Sequence, residues 1–313
     1  MIDGNQVRIG ARCSQLSRRQ TETVRSRLAA AWPDRVFSLI LIETRGDRTL
    51  DTPLPEIGGT GLFTLEIEEA LRAGTIDLAV HSLKDLPTDP IPGIVIGAIP
   101  ERVDVRDALI SRSGTPFLDL PKGATIGTSS HRRAAQLRRA RPDLRPQSIR
   151  GNIENRLRKT HDPAGPYDAA VLAVAGLERL DLLAKAAEIL PLDLMLPAPG
   201  QGALAVQCRD EPASRALLAA IDDPTAHLAT SAERAFLAGL GGGCSAPIAG
   251  FGELNANRLQ LRGRIVALDA SEQVDVSLER TVEDESMAIA AGAELARMAL
   301  ERGAATLPHV SVT

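Results

Sequence analysis

DLAVHSLKDLPT, residues Asp77 to Thr88, is the stretch on which the reading of the chain turns. Leu78, Ala79 and Val80 form a short apolar run entered from a turn signal at Gly74, which predicts a strand. Pro87 stops it, because proline cannot donate to a sheet ladder. In between lie His81, Ser82, Lys84 and Asp85, four polar side chains where an apolar strand runs out. Ligands of open α/β sheets bind in the crevice outside the carboxyl ends of the strands. With residues 78–85 extended, His81, Leu83 and Asp85 share one face, and Ser82 and Lys84 the other. A carboxylate at the strand tip suits general acid/base work or the stabilisation of a cation. The alternative is a turn carboxylate before Pro87 beside a solvated Lys84. The segment alone favours that alternative, and the rest of the chain reverses the preference.

At 313 residues the chain is too long for one ordinary core. Hydrophobic residues make up 44% of it and aromatic ones only 2%, so its cores are built from Ala, Val, Leu and Ile. The longest apolar run, Ala169 to Leu177, contains a glycine and is too short to span a bilayer. MIDGNQVRIG at the start shows no charged-then-apolar leader, so a cytoplasmic protein with no membrane partner is expected. Cys13, Cys208 and Cys244 are odd in number and widely spaced, which argues against a disulfide framework and a zinc site. His81, His131 and His161 also lack metal-ligand spacing, and no metal is expected.

The net charge of −4 is unevenly distributed. Residues 131–159 hold nine Arg and one Lys against Asp143 and Glu154, a net +8, which leaves −12 for the remainder. Lys84, Lys122, Lys159 and Lys185 are the only lysines, so nearly all positive charge is guanidinium, a planar fork for carboxylate or phosphate. The basic stretch has no Phe, Tyr or Trp on which bases stack, so an acidic small molecule is favoured over nucleic acid.

Taken in order, Val7 to Arg12 reads as a first strand and Ser14 as the N-cap of an amphipathic helix to Ala31, which puts Arg12 beside a helix N-terminus. Val36 to Ile42 reads as a buried strand of the parallel kind. Residues 44–61 carry four glycines and two prolines without hydrophobic period, the composition of a lid. Leu62 to Ala73 reads as a helix stopped at Gly74, and Ile94 to Ile99 as a strand. A second α/β unit starts with Ala108 to Ser111. Its strand Ala124 to Thr128 runs into Ser129, Ser130 and a helix bearing Arg132 and Arg133. Hydroxyls before a helix N-terminus nest an anion; cations there oppose the helix dipole at about 0.3–1 kcal/mol each if exposed. The pattern repeats at Ser148-Ile149 before Arg150-Gly151-Asn152 and a helix with Arg156. It repeats again at strand Ala169 to Val174 before a helix with Arg179. Arg138, Arg139, Arg141 and Arg158 read instead as solvated helix faces. MLPAPGQG, Met195 to Gly202, is a hinge, and Ala203 to Cys208 a strand suited to return to the first domain. A helix from Thr225 to Leu240, the turn GGGCSAPIAG with Cys244, three short strands and a helix from Asp284 to Arg302 complete the chain.

IGARCSQLSRRQ (9–20), HSLKDLPT (81–88), IGTSSHRR (126–133), IRGNIENRL (149–157), LAVAGLERL (172–180), PAPGQGAL (197–204) and AERAFLAGLGGGCSAPI (232–248) together resemble the porphobilinogen deaminase, or hydroxymethylbilane synthase, family over essentially the whole chain. The resemblance implies an α/β fold: two lobes like those of type II periplasmic binding proteins and a smaller α+β C-terminal domain. On this chain the implied boundaries are 1–100 with 203–221, 106–196, and 224–313. It also implies head-to-tail condensation of four porphobilinogen molecules with loss of ammonia. Cys244 would bear one covalent dipyrromethane cofactor per chain through a thioether, and Asp85 would be the catalytic carboxylate. Ser82, Lys84, Asp85, Thr128, Ser129, Ser130, Arg132, Arg133, Arg150 and Gly151 would hold that cofactor. Arg12, Ser14, Gln20, Phe63, Arg150, Arg156, Arg179 and Gln201 would hold substrate, in a monomer.

The residues agree with this chemistry. Each pyrrole ring carries two carboxylates, and each charge-assisted contact contributes roughly 1.5–3 kcal/mol. Deamination leaves an electron-poor ring that an ionised Asp85 stabilises as charge develops. The chain departs from the family's pattern in its lid: Gly58-Gly59-Thr60-Gly61 replaces a GGKG sequence, and Glu56 and Leu65 stand where relatives have lysine. Two competing readings are a two-lobed anion-binding protein without catalysis and a nucleic-acid binder with steep salt dependence.

Overall fold

The computed structural model describes residues 5–44, 64–242 and 246–307. The strands of the first part are β1 (Gln6–Arg12), β2 (Val36–Ile42), β3 (Leu78–Ser82) and β4 (Ile94–Ala98). There follow β5 (Asp107–Ser111), β6 (Thr125–Gly127), β7 (Arg145–Gln147), β8 (Ala169–Ala173), β9 (Glu188–Ile189) and β10 (Leu204–Arg209), and then β11 (Ile248–Asn255), β12 (Arg258–Val266) and β13 (Gln273–Thr281). The helices are α1 (Gln15–Ala31), α2 (Leu65–Arg72), α3 (His131–Ala140), α4 (Ile153–His161), α5 (Val174–Arg179), α6 (Pro212–Leu218), α7 (Pro224–Gly239) and α8 (Glu285–Glu301). They form two compact units: residues 1–103 with 203–227, and 104–202 with 228–313.

The first unit is built on a five-stranded sheet ordered β2-β1-β3-β10-β4. Strands β1, β2 and β3 are parallel, and β10 runs antiparallel between β3 and β4. Helix α1 starts where Ser14 Oγ accepts from Ser17 N, and buries Val24 and Leu28 against Val7 and Ile9. Strand β2 is parallel, as its composition suggests, but it is the sheet's edge and not an interior strand: Val36 is 58% and Leu41 43% exposed. A continuous apolar run signals strand and does not say whether a neighbour covers it. At the other end of β1 and β3, the buried Asp77 accepts from the backbone and guanidinium of Arg8 and from Arg209 Nη2 (3.1 Å).

In the second unit the five-stranded sheet is ordered β7-β6-β8-β5-β9. Strands β6, β7 and β8 are parallel, and β5 is antiparallel to β8. The two sheets therefore share one plan. Second, first and third parallel strands come first, then an antiparallel strand supplied from outside the run, then a last strand. In the first sheet the intruder is β10, which comes back after the whole of the second sheet; in the second it is β5, the strand by which the chain enters. This is the expected α/β class, with two lobes and in addition a smaller C-terminal part.

That part is a β11-β12-β13 antiparallel meander. Its strands have 8, 9 and 9 residues, longer than the short strands read from sequence. Phe236 of α7 and Leu295 of α8 are fully buried in one core with Leu259, Leu261 and Ile265 of β12. The helices touch through Gly292, where an added Cβ would lie 2.1 Å from the Ala232 carbonyl oxygen. Ordinarily Gly→Ala in a helix gains up to about 1 kcal/mol. Here the methyl overpacks against backbone, so Gly292→Ala lowers unfolding free energy by about 1–3 kcal/mol in chemical denaturation; a gain in stability would contradict this packing.

Candidate active site

In the first unit, β1 and β3 end on one edge, at Arg12 and Ser82. The backbone N–H of Arg12 donates to Ser17 Oγ (3.1 Å), which ties the strand end to the first turn of α1. From the next turn the buried Gln20 donates through Nε2 to Ser82 Oγ (2.9 Å) and fixes the end of β3. Beyond Ser82 the chain does not stay extended. Leu83–Asp85 is a single 3₁₀ turn, closed by Leu86 N donating to Leu83 O (3.1 Å) and moored by Leu83 N donating to Ala203 O (3.1 Å). Leu83 and Leu86 are both buried, Lys84 is half-buried and Asp85 is exposed. The alternation expected for residues 78–85 is thus replaced. Two leucine anchors pull the chain into a turn, and Asp85 points outward while Leu83 points in.

His81 stays in the strand, buried, and its Nε2 has no hydrogen-bond partner. Burial, with the Arg12 charge adding to it, pushes its pKa down to about 4; the Gln207 side chain opposes the shift. His81 is therefore a neutral imidazole at physiological pH and contributes no general acid next to Asp85.

In the second unit β6, β7 and β8 point the same way, and the three junctions beyond them lie on one edge. After β6, the buried Thr128 accepts from Ser130 N (3.2 Å), and Ser130 Oγ caps α3 by accepting from Arg133 N (3.4 Å). Ser129 Oγ donates to Ile149 O (2.8 Å) and lies 2.9 Å from Ser148 Oγ, which joins the first junction to the second. At the second, Gly151 holds φ +107°, a conformation that favours glycine, and Asn152 caps α4. The half-buried Arg156 donates through Nε to Gly151 O (2.8 Å), and Lys159 Nζ donates to Arg150 O (3.1 Å). Arg179, at the end of α5, donates through Nη2 to Gly202 O (2.8 Å); burial draws its pKa down to about 10, with Glu178 opposing.

Arg132 and Arg133 differ from these. Both are buried and both are ion-paired with Asp107, at 2.8 and 2.7 Å, which corrects the picture of open cations opposing the dipole of α3. Gln201, expected against substrate, is also buried and donates to Asp107 Oδ1 (2.9 Å). Arg141, read as a solvated face, instead donates to the carbonyls of Phe117, Leu118 and Leu120 and pairs with Asp143. Sequence reasoning passed over Asp107. Its signal is an acidic residue opening an otherwise apolar strand, DALIS. Phe63, Cys244 and lid residues 45–61 lie outside the described residues.

Residues 7–216 match the model of the porphobilinogen deaminase dipyrromethane cofactor binding domain, and residues 227–301 that of the porphobilinogen deaminase C-terminal domain. The chain belongs to the porphobilinogen deaminase family. It is 49% identical over 267 residues to the porphobilinogen deaminase of Roseiflexus castenholzii, covering 85% of this chain and 87% of that one. Against that of Syntrophotalea carbinolica it is 44% identical over 304 residues, covering 97% and 95%. Among solved structures it is similar to the periplasmic aliphatic sulphonate binding protein SsuA from Escherichia coli, with TM-score 0.40 and 16% identity over 75% of this chain and 70% of that one. As a member of the porphobilinogen deaminase family the protein is an enzyme of tetrapyrrole biosynthesis with a dipyrromethane cofactor domain. The donor set fits such a group: guanidiniums and hydroxyls line the junctions, and Arg133 Nε is buried without a partner. No described helix is long and apolar enough to cross a membrane.

His81 makes stability depend on pH with a definite sign. Its folded pKa of about 4 lies below the unfolded 6.5, so its contribution is present at neutral pH and lost as pH falls from 6.5 through 4. Denaturation of the protein and of His81→Gln at pH 7 and pH 4 should show the parent losing about 3 kcal/mol more than the variant. Equal losses would show that His81 is not held neutral.

Proposed function

We propose that the protein is a hydroxymethylbilane synthase, which condenses four porphobilinogen molecules head to tail, releases ammonia at each step and ends with a linear tetrapyrrole. One observation carries this reading: the described junction residues suited to anions stand on the carboxyl edges of two sheets of the same plan, with Asp85 turned outward on the first. Each pyrrole brings an acetate and a propionate, so a growing chain needs several cationic forks, and its reacting ring needs one carboxylate.

Cys244 would hold the dipyrromethane through a thioether, and that group would supply the pyrrole carbon from which the chain is extended. Arg12, Arg150, Arg156 and Arg179 bind side-chain carboxylates. Lys84, Ser82 and Ser130 add donors at the same edges, and Ser129, Thr128, Ser14, Gln20 and Gly151 shape them. Arg132 and Arg133 serve a carboxylate through the N–H capacity that Asp107 leaves. Asp85 stabilises the cationic ring left when ammonia departs and accepts from the pyrrole N–H, an interaction that strengthens as charge develops. Glu56 and Thr60, where relatives carry lysine, lie outside the described residues; Leu65, the third such position, opens α2 and is 41% exposed. Their loss of charge slows turnover without abolishing it. The protein acts as a cytoplasmic monomer and takes no nucleic acid. In support, Arg132, Arg133, Arg138 and Arg141 of the basic stretch are engaged with carboxylates or backbone carbonyls of the chain itself.

Intact-mass measurement and a porphobilinogen-consumption assay test this directly. The isolated protein should be heavier than its sequence by a covalent pyrrole unit, and Cys244→Ser should lose that mass. Asp85→Asn should keep the mass and consume porphobilinogen 10²–10³ times more slowly, about the factor lost with one preorganised transition-state contact. Undiminished turnover in Asp85→Asn, or a loaded protein that never turns over, would overturn the assignment.

A further inference from the structure

Asp107 is completely buried and opens β5 opposite Ala173, the last residue of β8. Its strand runs against the others, and this brings its first residue to the carboxyl edge of the second sheet. The carboxylate is divided: Oδ2 accepts from Arg132 Nη2 (2.8 Å), and Oδ1 from Arg133 Nη2 (2.7 Å) and Gln201 Nε2 (2.9 Å). Arg132 and Arg133 are consecutive on α3 and leave the helix about 100° apart. A shared anchor is what brings both guanidiniums together. Two backbone carbonyls complete the clamp, Leu196 O to Arg132 Nη1 (2.6 Å) and Val171 O to Arg133 Nη1 (3.1 Å).

Two deficits remain. Two positive groups share one carboxylate, and a buried charge without a counter-charge is costly. Arg133 Nε is buried with no hydrogen-bond partner, and such donors are rarely left unsatisfied. A single ligand carboxylate meets both. We infer that Asp107 is a positioning residue of the deaminase reaction, one that clamps Arg132 and Arg133 so that the trio keeps one positive charge in excess and holds the unpartnered Arg133 Nε–H for a carboxylate of the bound pyrrole chain. The inference rests on the function proposed above.

A matched control exists in the same molecule. Asp77 is likewise buried and likewise shared by two arginines, Arg8 and Arg209, but at the opposite, amino-terminal edge of the first sheet. Asp107→Asn, Asp107→Glu and Asp77→Asn are compared with the parent by melting temperature, by the loaded fraction from intact mass, and by kcat and KM for porphobilinogen. Both Asn variants should melt lower. Asp77→Asn should keep its loaded fraction and kcat within twofold of the parent. In folded Asp107→Asn the product of loaded fraction and kcat should fall more than tenfold below that of Asp77→Asn, and Asp107→Glu should recover part of it. A fall smaller than tenfold would make Asp107 purely structural and overturn the inference. Should Asp107→Asn not fold, Asp107→Glu decides by the same tenfold criterion against Asp77→Asn; failure of both to fold assigns Asp107 to stability alone and also overturns it. A parent protein with neither covalent pyrrole nor turnover has a different signature: it sinks the functional reading, and this inference with it.

Discussion

A run of parallel strands has a polarity, because every carboxyl end in it falls on the same edge. The candidate site follows from that constraint. Within each sheet by itself, residues far apart in the chain become neighbours on that sheet's own edge because their strands pair in parallel: Arg12 and Ser82 in the first, and Ser129, Arg150 and the start of α5 in the second. The two antiparallel strands obey the same geometry in reverse. β5 brings its first residue, Asp107, to the edge where β8 ends, and β10 brings Leu204 opposite Ser82.

Gathering cations on one edge creates an electrostatic problem that the chain solves locally. Carboxylates of its own hold some guanidiniums, and backbone carbonyls hold others. Asp77 and Asp107 show the same device at opposite edges, one carboxylate shared by two arginines. At Asp77 the partners come from β1 and β10, so the carboxylate staples two strands that are not adjacent in the sheet. At Asp107 they come from the first turn of α3, where the dipole would otherwise repel them. Arg156 is tied back to the Gly151 carbonyl and Arg179 to that of Gly202.

Much of this was legible in the sequence, for definite reasons. Strand-to-helix junctions announce themselves through short polar caps, and Ser14, Ser130 and Asn152 all cap the helices they were expected to precede or open. What periodicity does not carry is which face finds cover. β2 reads as an interior strand and lies at an edge. Arg141 reads as solvated and is tied to three carbonyls, because its partners come from a loop some twenty residues upstream. Alternation also failed at Leu83–Asp85, where two buried leucines and a proline convert a strand end into a turn. Asp107 escaped notice because its role exists only once β5 is inserted against β8, a long-range pairing that no local pattern encodes.

The most direct test is a crystal structure of the protein as isolated, with its covalent pyrroles resolved. Ligand carboxylates should lie within hydrogen-bonding distance of Arg150, Arg156, Arg179 and the Nε edge of Arg133, with a ring N–H on Asp85. Pyrroles bound at the amino-terminal edge, beside Asp77, with the junction arginines facing only solvent, would contradict the account.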